Sequence, residues 1–123
     1  MTQYETNMTF TFTHLGPKEV DFVPVAAESE LANGQRLFVQ IDNETIVVFN
    51  IAGQFFAIGD VCSHDSGPVG HGELEGNEII CPRHGARFDV RNGKVTALPA
   101  VIDIPAYPVR VVDGQIEVGL PVR

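Results

Sequence analysis

The sequence is poor in the residues that would place it in several large classes of protein. It has only 2 cysteines, no tryptophan, and 8 lysines and arginines against 16 aspartates and glutamates. The formal net charge of −8 argues against nucleic acid as a partner, because phosphate backbones are bound by basic surfaces. No apolar run reaches the roughly 20 residues that span a bilayer, so we expect no membrane segment. An acidic surface suits association with a basic partner protein.

The beginning of the chain lacks the features of a targeting segment. Residues 1–5 contain no basic stretch followed by an apolar one, so we expect no signal peptide and a cytoplasmic location. The length of 123 residues is that of one domain with a real core. With 44% hydrophobic and 20% charged residues, the composition is that of a globular protein.

What is present is a series of short β-rich runs separated by turn residues. Pairs such as Asp113-Gly114 favour the positive φ angles of tight hairpins, and no segment shows an apolar stripe at helical spacing. The sequence therefore predicts an all-β fold, a small antiparallel sandwich or partly open barrel. The predicted strands are 22–25 at a sheet edge, 36–41, 45–51, 55–58, 78–80, 88–90, 94–96, 107–112 and 115–118, with one helical turn at 28–31.

Two regions depart from this regular pattern. Residues 1–20 form an N-terminal extension, in which 8–13 alternate apolar residues with threonine and predict a strand whose role the sequence does not assign. From about residue 60 to about residue 92, glycines crowd the chain and permit tight turns and close backbone approach. We interpret this second region as a subdomain of loops inserted between the strands of the β fold.

The chemistry lies in two short motifs of this inserted region. One contains Cys62 and His64, and the other contains Cys81 and His84, with residues 65–80 between them. Thiolates and imidazoles bind metals, so two such loops can converge on one centre. A Cys62–Cys81 disulfide is the alternative use, but it suits oxidising compartments and leaves both histidines unexplained. Structural zinc also accepts this ligand set, although zinc fingers usually present a cysteine pair and then a histidine pair.

The order C-x-H followed by C-x-x-H-G resembles the Rieske [2Fe–2S] domain, and the resemblance covers about residues 21–119. It implies one [2Fe–2S] cluster as cofactor, with Cys62 and Cys81 on the iron that stays ferric. His64 and His84 would bind the iron that accepts the electron, with their rings facing solvent. Residues 21–123 would then be the Rieske domain, with its cluster-binding subdomain at about 60–92. Residues 97–100 resemble the third loop of the family, which covers the cluster.

Several positions depart from the high-potential Rieske proteins of respiratory complexes. Gly67 and Arg83 stand where those proteins carry two further cysteines that form a disulfide. Ala86 and Phe88 replace a serine and a tyrosine whose hydroxyls donate to sulfur in that group. Because such hydrogen bonds stabilise the reduced cluster, we expect a potential near the low end of the Rieske range, roughly −150 mV and upward. These departures resemble the ferredoxins associated with oxygenases.

The resemblance implies an electron carrier and not an enzyme. Such a ferredoxin takes electrons from a flavin reductase that uses NAD(P)H and passes them to a terminal non-haem iron oxygenase. The chain is too short to contain the mononuclear-iron domain of the catalytic subunits. A small Rieske subunit of another reductase, of the nitrite-reductase type, remains the alternative interpretation, and a zinc-stabilised interaction domain is a further one.

Other polar residues near the motifs are assigned simpler roles. His71, which lies between the two motifs, and Asp65, which follows His64, are expected to be solvated loop residues. Arg87 and Arg91 could dock an acidic partner, but exposed arginines usually have no specific task. The backbone N–H groups expected to face the cluster sulfurs belong to Asp65, Ser66, Gly85 and Ala86.

Overall fold

The computed structural model describes residues 20–122, whose strands form three antiparallel sheets. The only helical element of these residues is a single 3₁₀ turn, Glu28–Glu30. The first sheet contains, in spatial order, β1 (Val20–Ala27), β11 (Gln115–Pro121) and β10 (Val109–Val112). The second contains β2 (Arg36–Ile41), β3 (Glu44–Ile51), β4 (Gln54–Gly59) and β9 (Ala106–Tyr107). The third contains β5 (Leu74–Glu75), β6 (Glu78–Ile80), β7 (Arg87–Asp89) and β8 (Val95–Ala97).

The second sheet is the middle layer, because strand β3 is buried on both of its faces. Ile46 and Val48 pack into a core with residues of the first sheet, such as Ile116. Val47 and Phe49 pack into a second core on the opposite face. Successive side chains of a strand point to opposite faces, so a strand covered on both sides needs an uninterrupted apolar run. This explains why β3 reads as continuous hydrophobic sequence rather than as an alternation.

The second core connects the middle layer to the third sheet and its loops. It contains Ile79 of β6 and Phe88 of β7, and it also contains both cysteines, Cys62 and Cys81. The cysteines are therefore part of a packed apolar interior that begins at the middle sheet. The expected all-β sandwich with an inserted loop-bearing unit is confirmed.

The hairpin pattern read from the turn residues is confirmed. Strands β2 and β3 pair across a turn in which Asp42 has φ 57°, and β10 and β11 pair across Asp113 and Gly114 with φ 51° and 77°. Strand β1 pairs only with β11, so it lies at a sheet edge. The edge position agrees with Pro24, which has no N–H to donate to a neighbouring strand.

The predicted strand 107–112 is wrong in one respect, because the structure divides it at Pro108. Tyr107 pairs with Ala57 in the second sheet, whereas Val109 pairs with Val118 in the first. Proline has no N–H and its φ is restricted, so it suits the point where the chain leaves one ladder for the next. The short strand β5 was not predicted at all. The strand expected at residues 8–13 lies outside the described residues.

Residues 20–122 contain no helix that is a candidate membrane span. None of the helical structure there is long or apolar enough to cross a bilayer.

Candidate metal centre

The two motif loops have the same backbone frame. In the first loop (residues 62–67), the N–H of Cys62 donates to the carbonyl of Gly67 at 2.7 Å, and the N–H of Ser66 donates to the carbonyl of Cys62 at 2.7 Å. In the second loop (residues 81–86), the N–H of Cys81 donates to the carbonyl of Ala86 at 2.7 Å, and the N–H of Gly85 donates back to Cys81 at 3.0 Å.

Each loop also has a left-handed residue at the same distance from its cysteine, Ser66 with φ 65° and Gly85 with φ 81°. The left-handed conformation lets each chain reverse direction tightly after its cysteine. The two loops therefore present a cysteine and a histidine from equivalent scaffolds. The backbone N–H groups of Ser66 and Gly85 were expected to face the cluster sulfurs. They instead donate to the carbonyls of Cys62 and Cys81 within the loops, which corrects that expectation.

The four side chains singled out by the sequence are brought together, with the thiols inside and the imidazoles outside. Cys62 and Cys81 are 0% and 1% exposed, whereas His64 and His84 are exposed. The imidazole rings lie 5.1 Å apart between centroids and are nearly perpendicular, at 78°. The two sulfur atoms are likewise within 4.8 Å of each other. The site thus has a buried sulfur end and a solvent-facing nitrogen end.

Burial raises the pKa of the Cys62 thiol, while the backbone N–H groups of His64 and Asp65 act against that rise. A side-chain hydrogen bond with Cys81 also raises the pKa. A metal that binds here would therefore displace thiol protons, as metal binding to cysteine generally does. The donor set consists of two adjacent buried thiols and two adjacent exposed imidazoles, so each pair could bind one ion of a centre with two metals.

Asp65 is an exposed loop residue, as expected, but it is also paired, because Arg83 binds both of its carboxylate oxygens. Nε of Arg83 donates to Oδ2 at 2.6 Å, and Nη2 donates to Oδ1 at 2.9 Å. The hydrogen bond from Arg83 holds the pKa of Asp65 well below its usual range, and the same bond raises the pKa of Arg83. This ion pair joins the first loop to the second, and Arg83 is one of the two positions, with Gly67, at which the resemblance implied that a disulfide is missing.

Two residues that sequence reasoning missed hold residues 69–72 against the middle sheet. Oδ1 of Asp60 accepts from the N–H groups of Val69 and Gly70 at 2.9 and 2.6 Å. Nη1 of Arg36 donates to the carbonyls of Gly70 and Gly72 at 2.5 and 2.7 Å. Nothing local in the sequence signals these bonds, because the partners of Arg36 lie 34 and 36 positions away.

The segment that follows β8 contacts the first loop at Ile102, two positions beyond the residues 97–100 that the resemblance assigned to the third loop. The hydroxyl of Ser63 donates to the carbonyl of Ile102, and Ala100 packs into the same core as both cysteines. Three apolar side chains of this segment are largely exposed: Leu98 at 74%, Val101 at 73% and Ile102 at 65%. We call these three residues the apolar rim.

The remaining polar residues do not join the site. His71 is exposed, as expected, and its ring stacks on Phe38 with 4.4 Å between centroids. Arg87 pairs with Glu75 and Glu78, and Arg91 pairs with Asp89, so both arginines form partly exposed ion pairs within the third sheet and its turns. Ala86 and Phe88, which stand where the resemblance places a serine and a tyrosine in the high-potential group, are both 0% exposed.

Comparison with known proteins gives a consistent result. A model of the Rieske [2Fe–2S] domain family matches residues 21–108. The 3-phenylpropionate/cinnamic acid dioxygenase ferredoxin subunit of Escherichia coli K12 is 38% identical over 100 residues, which cover 80% of this chain and 90% of that protein. The ferredoxin component of the naphthalene 1,2-dioxygenase system of Pseudomonas putida is 32% identical over 101 residues, 82% of this chain and 97% of that protein.

Solved structures agree with these relatives. The ferredoxin of carbazole 1,9a-dioxygenase from Nocardioides aromaticivorans superposes with a TM-score of 0.74 at 35% identity, covering 79% of this chain and 95% of the other. A chain from a complex of reduced oxygenase and oxidised ferredoxin of a carbazole 1,9a-dioxygenase gives 0.73 at 29% identity, covering 78% of this chain and 99% of the other. A putative NADH-dependent nitrite reductase small subunit from Mycobacterium tuberculosis gives 0.74 at 22% identity, covering 85% and 98%, a likeness in fold alone.

Proposed function

The chain belongs to the Rieske [2Fe–2S] domain family, and from that premise we propose that it carries single electrons to a non-haem iron oxygenase. It holds one [2Fe–2S] cluster, as the family match over residues 21–108 indicates. The relatives at 32–38% identity are named as ferredoxin components or subunits of dioxygenase systems, and they are electron-transfer proteins rather than catalytic ones. The observation that carries the proposal is the site itself, with two buried thiols behind two exposed imidazoles.

We assign the four ligands by their burial. Cys62 and Cys81 would bind the inner iron, where a packed apolar core excludes water, and His64 and His84 would bind the outer iron. When bound, the cluster supplies one-electron redox chemistry, and two imidazoles in place of two thiolates raise its potential relative to a centre with four cysteines. The exposed rings would then be the part of the site nearest to a docked partner.

The apolar rim supports docking of the oxygenase at this end of the molecule. Leu98, Val101 and Ile102 expose apolar surface on the segment that contacts the first loop through Ser63. Exposed apolar residues beside a functional group are typical of a partner-binding surface. The carbazole dioxygenase relative is described in a complex with its oxygenase, which supports an oxygenase as the occupant. The acidic charge of the chain would affect the rate of this encounter.

The electron donor and the location are further parts of the proposal. A flavin reductase using NAD(P)H would reduce this chain, because a carrier in a multicomponent dioxygenase system needs a source of single electrons. A cytoplasmic location would give that reductase its nucleotide. The nitrite-reductase alternative is weaker, since its structural support is a likeness at 22% identity. Membership of the Rieske family likewise favours iron and sulfide over zinc.

The decisive experiment is chemical analysis and spectroscopy of the protein isolated without oxygen. We expect two irons and two acid-labile sulfides per chain, and after reduction the electron spin resonance signal of a mixed-ligand cluster. Replacing His64 or His84 by alanine should abolish that signal, whereas replacing the stacked His71 by alanine should preserve it. A protein that contains zinc and no sulfide would overturn the assignment.

The carrier function is tested separately by stopped-flow mixing of the reduced protein with an oxidised Rieske oxygenase of the dioxygenase class. Rapid oxidation of this chain with matching reduction of the oxygenase is the expected result. If this chain bears a cluster but transfers no electron to any oxygenase tested, the carrier proposal fails while the cluster assignment stands.

A further inference from the structure

A fifth possible metal ligand lies inside the proposed site. A carboxylate oxygen of Asp65 lies within 4.8 Å of the sulfur atoms of Cys62 and Cys81. A carboxylate oxygen of Asp65 also lies within 4.8 Å of a ring nitrogen of His64 and a ring nitrogen of His84. Carboxylate oxygens can bind iron, so the Asp65 carboxylate could compete with the two cysteines and two histidines as a ligand.

The hydrogen bonds of Asp65 occupy both of its oxygens. Oδ2 accepts from Nε of Arg83, and Oδ1 accepts from Nη2 of Arg83 and, at 3.0 Å, from the N–H of Gly67. A two-point pair between a guanidinium and a carboxylate fixes orientation as well as distance. The carboxylate is therefore held in a defined direction by three donors.

The arginine is itself built into place. Its Nη1 donates to the carbonyl of Pro68 at 2.8 Å, so the guanidinium binds both the carboxylate and the backbone immediately after the first loop. A Cβ atom on Gly67 would lie 2.8 Å from Cζ of Arg83, which means that glycine at this position leaves room for the guanidinium. The family resemblance of the sequence places a disulfide of the high-potential Rieske proteins at the positions of Gly67 and Arg83. An ion pair thus occupies the space between the loops.

We propose that Arg83 is a positioning residue that keeps the Asp65 carboxylate off the iron, so that the ligand set remains two cysteines and two histidines. The proposal rests on the cluster assignment made above. Asp65 and Arg83 would then do more than connect the two loops. The ion pair selects the ligands as well as joining the loops that carry them.

The test compares four proteins, each isolated with its cluster: the parent chain, Arg83→Gln, Asp65→Asn and the double variant. Arg83→Gln should give a second electron spin resonance species and lose its cluster to a chelator roughly 10- to 100-fold faster, if the rate follows the loss of metal affinity that removing a supporting residue causes. Asp65→Asn should keep the parent spectrum, because an amide carries no charge to attract iron. In the double variant the parent spectrum should return.

The spectra, and not the reduction potential, test whether the carboxylate binds iron. Loss of a positive charge beside the site would lower the potential whether or not the carboxylate binds. Arg87→Gln is the matched control, since it removes another guanidinium that is paired with acids in the same subdomain, and its spectrum should stay that of the parent. Arg83→Lys should recover part of the parent behaviour, because lysine keeps the charge but not the two-point geometry. If Arg83→Gln does not fold, Gly67→Ala displaces the guanidinium while keeping both charged residues, and it should give the same second species.

Two results would overturn the proposal. One is an Arg83→Gln protein with the parent spectrum and parent rate of cluster loss. The other is a double variant that retains the altered spectrum of Arg83→Gln, because the disturbance would then come from the broken tie between the loops and not from the freed carboxylate. Absence of iron and sulfide from the parent protein would instead refute the proposed function, so the two failures are distinguishable.

Discussion

The carbonyl oxygen of Ile80 lies 1.8 Å from the point that a Cβ atom on Gly72 would occupy. Gly72 is buried, and its own carbonyl accepts a hydrogen bond from Arg36, which belongs to the middle sheet. The residue before Cys81 is therefore in direct contact with a residue that ties the inserted unit to the sandwich. Any side chain at position 72 would have to move strand β6, and with it the second loop.

We expect Gly72→Ala to destabilise the protein by roughly 3 kcal/mol or more, because the obstructing atom is backbone and cannot rotate away. Gly59→Ala is the matched control, since its added Cβ would meet only the Pro105 side chain at 3.4 Å, an ordinary contact. Urea unfolding followed by circular dichroism measures both variants. A Gly72→Ala protein as stable as Gly59→Ala would show that this close contact does not constrain the loop.

Introducing hydroxyl groups at Ala86 and Phe88 should raise the reduction potential. In Ala86→Ser and Phe88→Tyr, a hydroxyl that donates to sulfur stabilises the more negative, reduced cluster, and about 1 kcal/mol corresponds to about 40 mV for one electron. Val118→Thr adds a hydroxyl in the other core and should leave the potential unchanged. Protein-film voltammetry gives the midpoints, and unchanged values in both variants would contradict the hydrogen-bond argument.

A charge in the apolar rim should weaken oxygenase reduction without altering the cluster. We expect Leu98→Asp to raise the KM for reduced carrier at least several-fold, since a carboxylate must lose water on docking, while the midpoint potential stays at the parent value. Val112→Asp places the same charge on an exposed position of the first sheet and should have little effect. Equal KM values for the two variants would place the docking surface elsewhere.

The stability of the protein should fall between pH 10 and pH 12 because of Tyr107. Burial, together with the charge of Glu44, raises the pKa of Tyr107 to about 12, and its side chain is 6% exposed. The unfolded chain loses this proton near pH 10. The contribution of Tyr107 is therefore fully present below pH 10, and it is lost as the pH rises through about 12.

Denaturant unfolding at a series of pH values measures this loss, and Tyr107→Phe isolates it from other titrations. The variant should show a smaller decline in unfolding free energy over the same interval. The sequence has 2 tyrosines and no tryptophan, so in a Tyr4→Phe background the absorbance of tyrosinate reports Tyr107 alone. A midpoint near pH 10 in that protein would contradict the raised pKa.

Much of the fold was predictable because its signals are local. A hairpin needs a β-rich run on each side of a turn whose residues tolerate positive φ, and Asp113-Gly114 satisfies this within a few positions. The division at Pro108 was not predictable in the same way. Which sheet receives Tyr107 and which receives Val109 depends on partners far along the chain, such as Ala57. A local pattern shows that a residue is extended but not which strand it pairs with.

The site divides along the same line. The residues Cys62, His64, Cys81 and His84 could be named from the sequence because thiols and imidazoles at this spacing have few other uses. The pairing of Asp65 with Arg83 could not, because charged loop residues usually face solvent and their positions are 18 apart. The structure shows that Asp65, although exposed, is held by Arg83 beside the candidate metal ligands.

The amino-acid sequence by itself determined most of the strands, the hairpin turns and the identity of the chemical groups, since these follow from backbone preferences and side-chain chemistry within a few residues. Only the tertiary structure decided that the thiols are buried and that an arginine from one loop holds the carboxylate of the other, whereas the exposure of the imidazoles had been implied by the family resemblance. Those properties depend on how the third sheet packs on the middle one. Packing joins residues that are distant in sequence, and it is set by the shape of the whole core.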